Sequence, residues 1–395
     1  MKLLKSILFS AVIVFIFFST IELACRLYYI IRYHKIPYNN SIFEYDKDKV
    51  YRLRKNYAGT FSNKLVTTNS LGYRNNYISL EKPNNTIRIL VVGDSVTFGA
   101  GVLAEETYPK QLEKILANDT KRLTFNVINT AVPGNSPFQE YYDLERGLKL
   151  SPDIVIMQFV LNDVVEPYWV YRRYGGYGTD YHGVTDLPLK SLAQLYDILK
   201  NHSAFYQLLN RLALRVHFKT SDMDTVVKKS IKQELYIDEN LIYKRNDKNI
   251  QQAWHECLYW MQKEVDLCQK NRIKCILLIS PVNFQMTLSD EFAYPQNILK
   301  EFSIKNKIEY IDLLSELRKD IGQRLMAKYS LGREAEWSRL FVYKNEIINI
   351  WGEYFLDYEH YSPKGHIFVA HLVYPVIKKS IEKNSIKDDA STSHP

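Results

Sequence analysis

Five short apolar runs, separated by amphipathic segments, dominate the hydrophobic pattern of this chain. The runs are Ile87–Val92, Phe125–Asn129, Asp153–Phe159, Lys274–Ser280 and Ile308–Leu313. They are rich in Ile, Val and Leu and lack a clean alternation of apolar and polar positions, which is typical of strands buried on both faces. The pattern therefore predicts five buried strands.

Helical patterns lie between most of these runs. One apolar face is formed by Tyr108, Leu112, Ile115 and Leu116. Ser136-Pro137-Phe138-Gln139 predicts a helix start, with Ser as N-cap, Pro at the first position and Gln at the third. Gln251–Asn271 and Asp290–Asn306 supply two more helices. Strands that alternate with helices predict an α/β fold, a parallel sheet with helices on both faces.

The N-terminus carries a separate signal, the apolar run Ser6–Cys25 with Glu22 as its one charge. About twenty helical residues span roughly 30 Å, the hydrocarbon thickness of a bilayer. A cleaved signal peptide, or a lipoprotein signal that ends at Cys25, would place Glu22 where a small residue is required. We therefore expect an uncleaved membrane anchor over residues 1–25. The basic residues that flank the run on both sides do not decide its orientation.

The remaining chain divides by composition. Residues 26–85 are polar and rich in Tyr and Asn, and are expected to be a juxtamembrane linker. Residues 86–383 are expected to form one domain, with an insertion at about 165–249 whose apolar periodicity is too weak for a core of its own. Residues 384–395 are small and polar, and we expect them to be disordered.

Composition and charge exclude several functional classes. Hydrophobic residues make up 46% of the chain, and 52 basic against 44 acidic residues give a formal net charge of +8. This charge is spread along the chain, with no zinc-finger spacing and no aromatic RNA-binding signature, so nucleic acid is not an expected partner. The four cysteines form no C-x-x-C pair and are interpreted as buried thiols, although a Cys268–Cys275 bridge stays open. No metal-ligand cluster is present in the sequence, so neither a metal nor a cofactor is expected.

Polar residues follow the predicted strands. Gly93-Asp94-Ser95 follows the first strand, a turn with Gly134 the second, and Asn162 the third; Asp357 and His360 lie near the end of the chain. The carboxyl ends of parallel strands share one edge of the sheet, where ligands bind. A serine in such a turn can cap a helix, hold a phosphate or attack a substrate. The first two roles do not explain Asn162 or the Asp-x-x-His pattern, whereas a serine, a histidine base and a carboxylate together suit acyl transfer.

These motifs resemble those of a known family. GDSVTFG, AVPGN, VLND and DYEH are similar to the four blocks of the SGNH hydrolases, the GDSL esterase/lipase family, over residues 86–164 and 272–380. The resemblance implies a flavodoxin-like five-stranded sheet, with Ser95 as nucleophile, His360 as base and Asp357 orienting the base. It also implies an oxyanion hole formed by Ser95, Gly134 and Asn162.

Three further points bear on the resemblance. The third block usually reads Gly-x-Asn-Asp, and here Val160 occupies the glycine position. The stretch TNSLGYRN, which ends at Asn75, is similar to one that precedes the GDS block in membrane-anchored bacterial members. Ser95 does not lie in G-x-S-x-G, which argues against the α/β-hydrolase elbow.

The sequence therefore predicts a membrane-anchored serine esterase acting on O-acyl esters, O-acetyl above all, of cell-envelope glycans. Its catalytic domain is expected on the outer (periplasmic or extracellular) face. The alternatives are an O-acyltransferase that uses the same residues with a sugar acceptor, and a non-catalytic glycan-binding or scaffold protein. The loop with Tyr168, Trp169, Arg172 and Arg173 could bind a carbohydrate by stacking and ion pairing, or could simply pack on its own domain.

Overall fold

The structure is a computed structural model and describes residues 2–33, 41–120, 122–164, 241–286, 290–331 and 337–392, with short pieces between 199 and 212. By its internal contacts the chain forms two units. The first comprises residues 1–51 and 171–237, and the second residues 52–170 and 238–395. Most of the predicted insertion at 165–249 lies outside the described residues.

A parallel five-stranded sheet forms the centre of the second unit. Four short strands precede it: β1 (Phe43–Asp46), β2 (Val50–Leu53), β3 (Ala58–Phe61) and β4 (Lys64–Thr67). The sheet itself consists of β5 (Thr86–Val92), β6 (Thr124–Asn129), β7 (Ile154–Phe159), β8 (Lys274–Ile279) and β9 (Glu309–Asp312). Their order is β6-β5-β7-β8-β9, and all four pairings are parallel. All five predicted strands are confirmed, with bounds within two residues of the apolar runs.

Helices connect these strands. In chain order they are α1 (Lys2–Tyr33), α2 (Ser95–Phe98), α3 (Tyr108–Asp119), α4 (Pro137–Gly147), α5 (Lys248–Lys270), α6 (Tyr294–Asn306), α7 (Leu313–Tyr329), α8 (Trp337–Leu340), α9 (Lys344–Tyr354) and α10 (Pro363–Thr392). The predicted start of α4 is confirmed: Ser136 is the N-cap, and its backbone N–H donates to Gln139 Oε1 at 3.2 Å. The segment predicted as one helix from Asp290 begins instead as a 3₁₀ turn, and the α-helix starts at Tyr294, just before Pro295.

The topology places the first polar turn at a switch point. From β5 the chain passes to β6 on one side, and then to β7 on the other side of β5. Crevices form where successive connections leave a strand in opposite directions, beyond the carboxyl ends of the strands. Gly93, Asp94 and Ser95 follow the carboxyl end of β5 directly. The sheet therefore presents Ser95 at the position where open α/β sheets bind ligands.

The segment 52–85, predicted as part of a linker, belongs to the second unit. Buried arginines hold it in place. The Arg88 side chain is 1% exposed and donates to the backbone oxygens of Ser79 at 2.7 Å and Glu81 at 3.0 Å. The linker interpretation is therefore wrong for these residues. Their polar composition gave no sign that their backbone carbonyls accept hydrogen bonds from buried guanidinium groups.

Arg74 makes the most extensive of these contacts. Its Nη1 donates to the carbonyl oxygens of Phe98 and Gly99, and its Nη2 to that of Val102, each at 2.7 Å. The guanidinium carbon also lies 4.6 Å from the centroid of the Phe98 ring, and the residue is 4% exposed. Arg74 therefore satisfies the carbonyls at the end of α2, the helix that Ser95 begins.

Replacing Arg74 by methionine is expected to lower the free energy of unfolding by about 3 kcal/mol, because three buried carbonyls lose their donor. Urea unfolding of the detergent-solubilised full chain measures the change. Arg122→Met is the control, since Arg122 is exposed and lies in a turn. Equal stability of the two variants would contradict this account of Arg74.

A buried acid in α5 predicts a pH dependence of stability. Glu264 is fully buried, and neither carboxyl oxygen has a hydrogen-bond partner among the described residues. Burial, and then the nearby Cys268 and Asp163, raise the pKa of Glu264 well above 4.5. With a raised folded-state pKa, the group's favourable contribution is complete below its unfolded pKa and is lost as the pH rises toward the folded pKa.

Glu264→Gln is therefore expected to increase the free energy of unfolding more at about pH 8 than at about pH 5. The slope of stability against pH should fall by up to about 1.4 kcal/mol per unit. Urea unfolding at both pH values measures this, with Glu301→Gln on the exposed face of α6 as the control. A Glu264→Gln variant that loses stability at both pH values would show that the carboxyl has a partner that the amide cannot replace.

The first unit contains α1. Its segment Leu8–Arg32 is long and apolar enough to cross a membrane, with a mean hydropathy of 2.3, although a signal sequence has the same properties. Glu22 accepts hydrogen bonds from Ser203 Oγ and the Ala204 N–H, both at 2.8 Å. The helix continues past residue 25 to Tyr33, so the predicted end of the apolar helix was too early.

Two other expectations concern the chain end and the cysteines. Helix α10 runs to Thr392, which corrects the prediction of disorder over 384–395 through most of that segment. The segment contains no glycine and no proline before Pro395, so no residue there interrupts the helix. All four cysteines are buried free thiols, as predicted, and the possible Cys268–Cys275 bridge is not formed.

Candidate active site

The turn after β5 presents Ser95 as the first residue of α2. Asp94 is the N-cap, and its Oδ1 accepts from the Val96 N–H at 2.9 Å. The helix ends after one turn at Gly99, which has a φ of 85°. This left-handed conformation favours glycine. Asp94 therefore fixes the start of the helix and leaves the Ser95 side chain available for chemistry.

The loop between α9 and α10 supplies the other two predicted groups. Asp357 Oδ1 accepts from the backbone N–H of Glu359 at 3.0 Å and of His360 at 2.8 Å. Asp357 Oδ2 lies 2.8 Å from His360 Nδ1. His360 Nε2 in turn lies 2.8 Å from Ser95 Oγ. The structure thus brings Ser95, His360 and Asp357 into one hydrogen-bonded chain, although 265 residues separate the first two.

This arrangement defines what the imidazole can do. A proton on Nδ1 donates to the Asp357 carboxylate, so in the neutral ring the lone pair of Nε2 faces the Ser95 hydroxyl. That is the tautomer needed to remove the hydroxyl proton. The His360 side chain is 19% exposed and that of Asp357 is 44% exposed.

Neighbouring carboxylates perturb the base. Burial lowers the pKa of His360, but the hydrogen bond with Asp357 and the charges of Glu359, Asp357 and Asp94 outweigh it and raise the pKa to about 9. Burial also acts to raise the pKa of Asp357, yet its hydrogen bonds with His360 and two backbone N–H groups leave that pKa below the ordinary value. The nearby carboxylates therefore favour the protonated form of the imidazole.

Glu359 is a group of this site that the sequence analysis did not single out. Its side chain is 5% exposed, and Oε1 lies 3.9 Å from His360 Nε2. Burial raises the pKa of Glu359 to about 8, with further contributions from nearby charges. Its place between Asp357 and His360 in DYEH was the available signal, because the turn that brings the Asp357 carboxylate to the imidazole also holds Glu359 near it.

The third predicted block also reaches the nucleophile turn. Asn162 lies in the 3₁₀ turn Leu161–Val164, and its Nδ2 donates to Asp94 Oδ2 at 3.2 Å. The second block joins the same turn through its backbone, where the Val132 N–H donates to the Gly93 carbonyl at 3.2 Å. Gly134 follows with a φ of 75°. The structure thus brings Asn162 to the nucleophile turn and links the turn before Gly134 to it.

Val160 is accommodated at the position where the family usually has glycine. Its side chain is fully buried in the core, and its N–H donates to Asp163 Oδ2 at 2.8 Å. Val160 is not among the described non-glycine residues with positive φ, so its backbone does not need glycine. The departure from the family pattern therefore leaves the Asn162 turn formed.

The four residues predicted to bind a carbohydrate, Tyr168, Trp169, Arg172 and Arg173, lie outside the described residues. His366, in contrast, is fully buried in the first turn of α10, where its Nδ1 accepts from the Tyr108 N–H at 3.0 Å. Burial lowers the pKa of His366 to about 3. It is therefore neutral and has a structural role.

Comparison with known families agrees with this geometry. Residues 91–225 match the model of the GDSL-like Lipase/Acylhydrolase family. The chain carries a domain of this family. The GDSL-like domain is accordingly an ester hydrolase. The match begins in β5 and includes Ser95, Gly134 and Asn162.

Solved structures similar to this chain share low sequence identity with it. The psychrotrophic esterase EstA from Pseudoalteromonas sp. is 13% identical, with 76% of this chain and 100% of that chain covered and a TM-score of 0.35. An acetylxylan esterase from Geobacillus stearothermophilus is 14% identical, with 73% and 92% covered and a TM-score of 0.34. The lipase/acylhydrolase from Enterococcus faecalis is 12% identical, with 74% and 96% covered and a TM-score of 0.33. No curated protein matches the sequence.

Proposed function

We propose that the GDSL-like domain is a serine esterase in which Ser95 is the nucleophile, His360 the general base and Asp357 the group that orients the base. The observation that carries the proposal is the hydrogen-bonded chain of these side chains, with two distances of 2.8 Å. Nucleophile, base and orienting carboxylate at hydrogen-bond distance are the requirement for double displacement at an ester carbonyl.

The proposed reaction has two steps. Ser95 Oγ attacks the ester carbonyl while its proton passes to His360 Nε2, and the tetrahedral intermediate collapses when the leaving alcohol takes that proton. Water then attacks the acyl-enzyme, gives a proton to His360 and releases the acid, and the proton returns to Ser95. The N–H groups of Ser95 and Gly134 and the Asn162 amide are the proposed donors to the oxyanion, each worth about 3 kcal/mol of barrier.

For the substrate we propose an O-acyl ester, O-acetyl in particular, of a cell-envelope glycan. The support is the apolar helix Leu8–Arg32, which would hold the enzyme at a membrane with its catalytic domain on the outer face. The hydrogen bonds from residues 203 and 204 to Glu22 support retention of that helix as an anchor. Tyr168, Trp169, Arg172 and Arg173 are the proposed contacts to the carbohydrate.

Covalent trapping tests the proposed nucleophile. The detergent-solubilised full chain is treated with a fluorophosphonate at about pH 9, near the pKa of His360, and the modified peptide is identified by mass spectrometry. We expect a single adduct on Ser95, none in Ser95→Ala, and normal labelling of Ser70→Ala, since Ser70 is exposed. An adduct on another residue, or a folded chain that does not react, would refute the assignment.

Acetate release from an O-acetylated polysaccharide tests the proposed substrate. We expect Ser95-dependent release, and a loss of this release in the Tyr168→Ala/Trp169→Ala double variant that retains hydrolysis of p-nitrophenyl acetate. Retention of both activities in that variant would refute the carbohydrate contacts. Hydrolysis of the small ester without release from any acetylated glycan would refute the glycan substrate and leave the esterase intact.

A further inference from the structure

A chain of buried hydrogen bonds joins the element that carries the nucleophile to the loop that carries the base. Thr97 Oγ1 donates to Gln158 Oε1 at 2.9 Å, and Gln158 Nε2 donates to Ser280 Oγ at 3.0 Å. Ser280 Oγ is hydrogen-bonded to the Tyr361 hydroxyl. These four residues are each at most 2% exposed. Thr97 lies in the GDSVTFG block but has none of the catalytic roles proposed above, and the other three residues lie outside the four blocks.

The two ends of this chain lie next to the reacting groups. Thr97 lies two residues after Ser95 in the single turn of α2, and Tyr361 follows His360. Since a one-turn helix and a short loop cannot move one residue independently of the next, the position of each end affects the position of Ser95 Oγ or His360 Nε2. This chain of hydrogen bonds therefore connects the elements that carry Ser95 Oγ and His360 Nε2, which lie 2.8 Å apart.

Gln158 is suited to the centre of the chain by its chemistry. Its amide accepts at one end and donates at the other, whereas a carboxylate only accepts and an aliphatic side chain does neither. It lies on β7, adjacent in the sheet to both β5 and β8, whose following turns carry Thr97 and Ser280. Every residue of β7 is buried, so the backbone that carries the Gln158 amide is held in a fixed position.

The close approach of this amide also explains the glycine of the GDS motif. A Cβ atom at Gly93 would lie 2.6 Å from Thr97 Oγ1 and 2.8 Å from Gln158 Oε1. Any larger residue would displace both partners of the hydrogen bond. The turn is thus built around the Thr97–Gln158 contact.

We propose that Gln158 is a positioning residue, whose amide holds the Ser95 turn and the His360 loop in register through Thr97 on one side and Ser280 and Tyr361 on the other. This inference rests on the proposed esterase function. An alternative role, in which the chain only stabilises the core, predicts a loss of folding free energy without a coupled effect of its two ends on catalysis.

A double-mutant cycle on the two ends separates these roles. Thr97→Val and Tyr361→Phe each remove one hydroxyl at nearly constant shape, and kcat and KM for p-nitrophenyl acetate are measured with the full chain in detergent at about pH 9. If loss of the hydrogen bond at either end lets the Ser95 turn and the His360 loop shift relative to each other, each variant should lose about tenfold in kcat with KM nearly unchanged. Small misplacements of reacting atoms cost this much or more. The double variant should then also lose only about tenfold, because the first substitution has already freed the two elements to shift and the second adds no further displacement.

A matched pair controls for additivity. Ser303→Ala removes a buried hydroxyl in α6 that donates to Leu299 O, in another part of the second unit, and combined with Thr97→Val it should give the simple product of the two effects. A loss of about a hundredfold in the Thr97→Val/Tyr361→Phe variant, the product of its parts, would overturn the proposal. So would single variants that melt at lower temperature but retain kcat.

Substitution of Gln158 itself completes the test. Gln158→Met should lose at least as much in kcat as the end variants, and the three-fold combination with Thr97→Val and Tyr361→Phe should lose no more. If Gln158→Met does not fold, the cycle on the ends still decides the question. A wild-type enzyme whose turnover does not depend on Ser95 would refute the proposed function, an outcome distinct from additive effects in a Ser95-dependent enzyme.

Discussion

Ser95→Ala is expected to lower kcat/KM for p-nitrophenyl acetate by about 10⁴-fold or more, while the protein stays folded. Removal of the hydroxyl removes the covalent step, and only oxyanion stabilisation and substrate binding remain to accelerate attack by water. Ser95 is half-buried at the first position of α2, and the capping bonds of that helix come from Asp94 and not from the serine. The fold should therefore tolerate the change.

Two comparisons make this prediction specific to the proposed reaction. Ser70→Ala should retain wild-type kcat/KM, because Ser70 is exposed in the segment before β5. The Ser95→Ala/His360→Gln double variant should be no slower than Ser95→Ala, since a base without its nucleophile has no proton to remove. A Ser95→Ala enzyme within about tenfold of wild type would refute covalent catalysis by this residue and favour a binding function for the domain.

The sheet could be predicted from sequence because its strands are buried on both faces. Runs such as Ile154–Phe159 leave no polar alternation that another element could mimic. The start of α4 was equally clear, because Ser136, Pro137 and Gln139 each act through local geometry. The bounds of α1 and α10 were not, since no proline or glycine marks the point where an apolar or polar helix stops.

The residues of the site likewise divide into those that could be predicted from sequence and those that could not. Ser95, Asn162, Asp357 and His360 lie at strand ends or in short turns, where a parallel sheet makes proximity predictable. Arg74 and Gln158 were missed because their roles depend on burial: a guanidinium in a polar segment and an amide within a strand show no pattern until the fold brings acceptors to them. Glu359 was missed because it occupies an unspecified position of Asp-x-x-His.

The general base His360 should lose its proton only at unusually high pH, and Glu359 is one cause. With the pKa of His360 raised to about 9, kcat/KM for p-nitrophenyl acetate should rise with pH up to that value, and by less than tenfold per pH unit near pH 8, where Glu359 gains its charge. Asp357 holds Nδ1 in a hydrogen bond, and the Glu359 carboxyl lies 3.9 Å from Nε2, with Asp94 as the third acid near the ring.

Glu359→Gln removes one of these negative charges without a large change in shape. Above about pH 8, where the Glu359 carboxyl is ionised, the imidazolium loses part of its stabilisation in the variant, so the upper part of the acidic limb should move to lower pH by up to about one unit. At pH 7, where that carboxyl is mostly neutral, the rate should change little. Because Glu359 itself has a pKa raised to about 8, the wild-type limb reports both groups together, and the variant should titrate more steeply as a single group. Profiles from about pH 6 to about pH 10 measure this, with Glu301→Gln as control. A limb that stays in place would mean that the Glu359 carboxyl does not contribute to the basicity of His360, and a limb that moves upward would mean that the amide stabilises the imidazolium more than the carboxyl does.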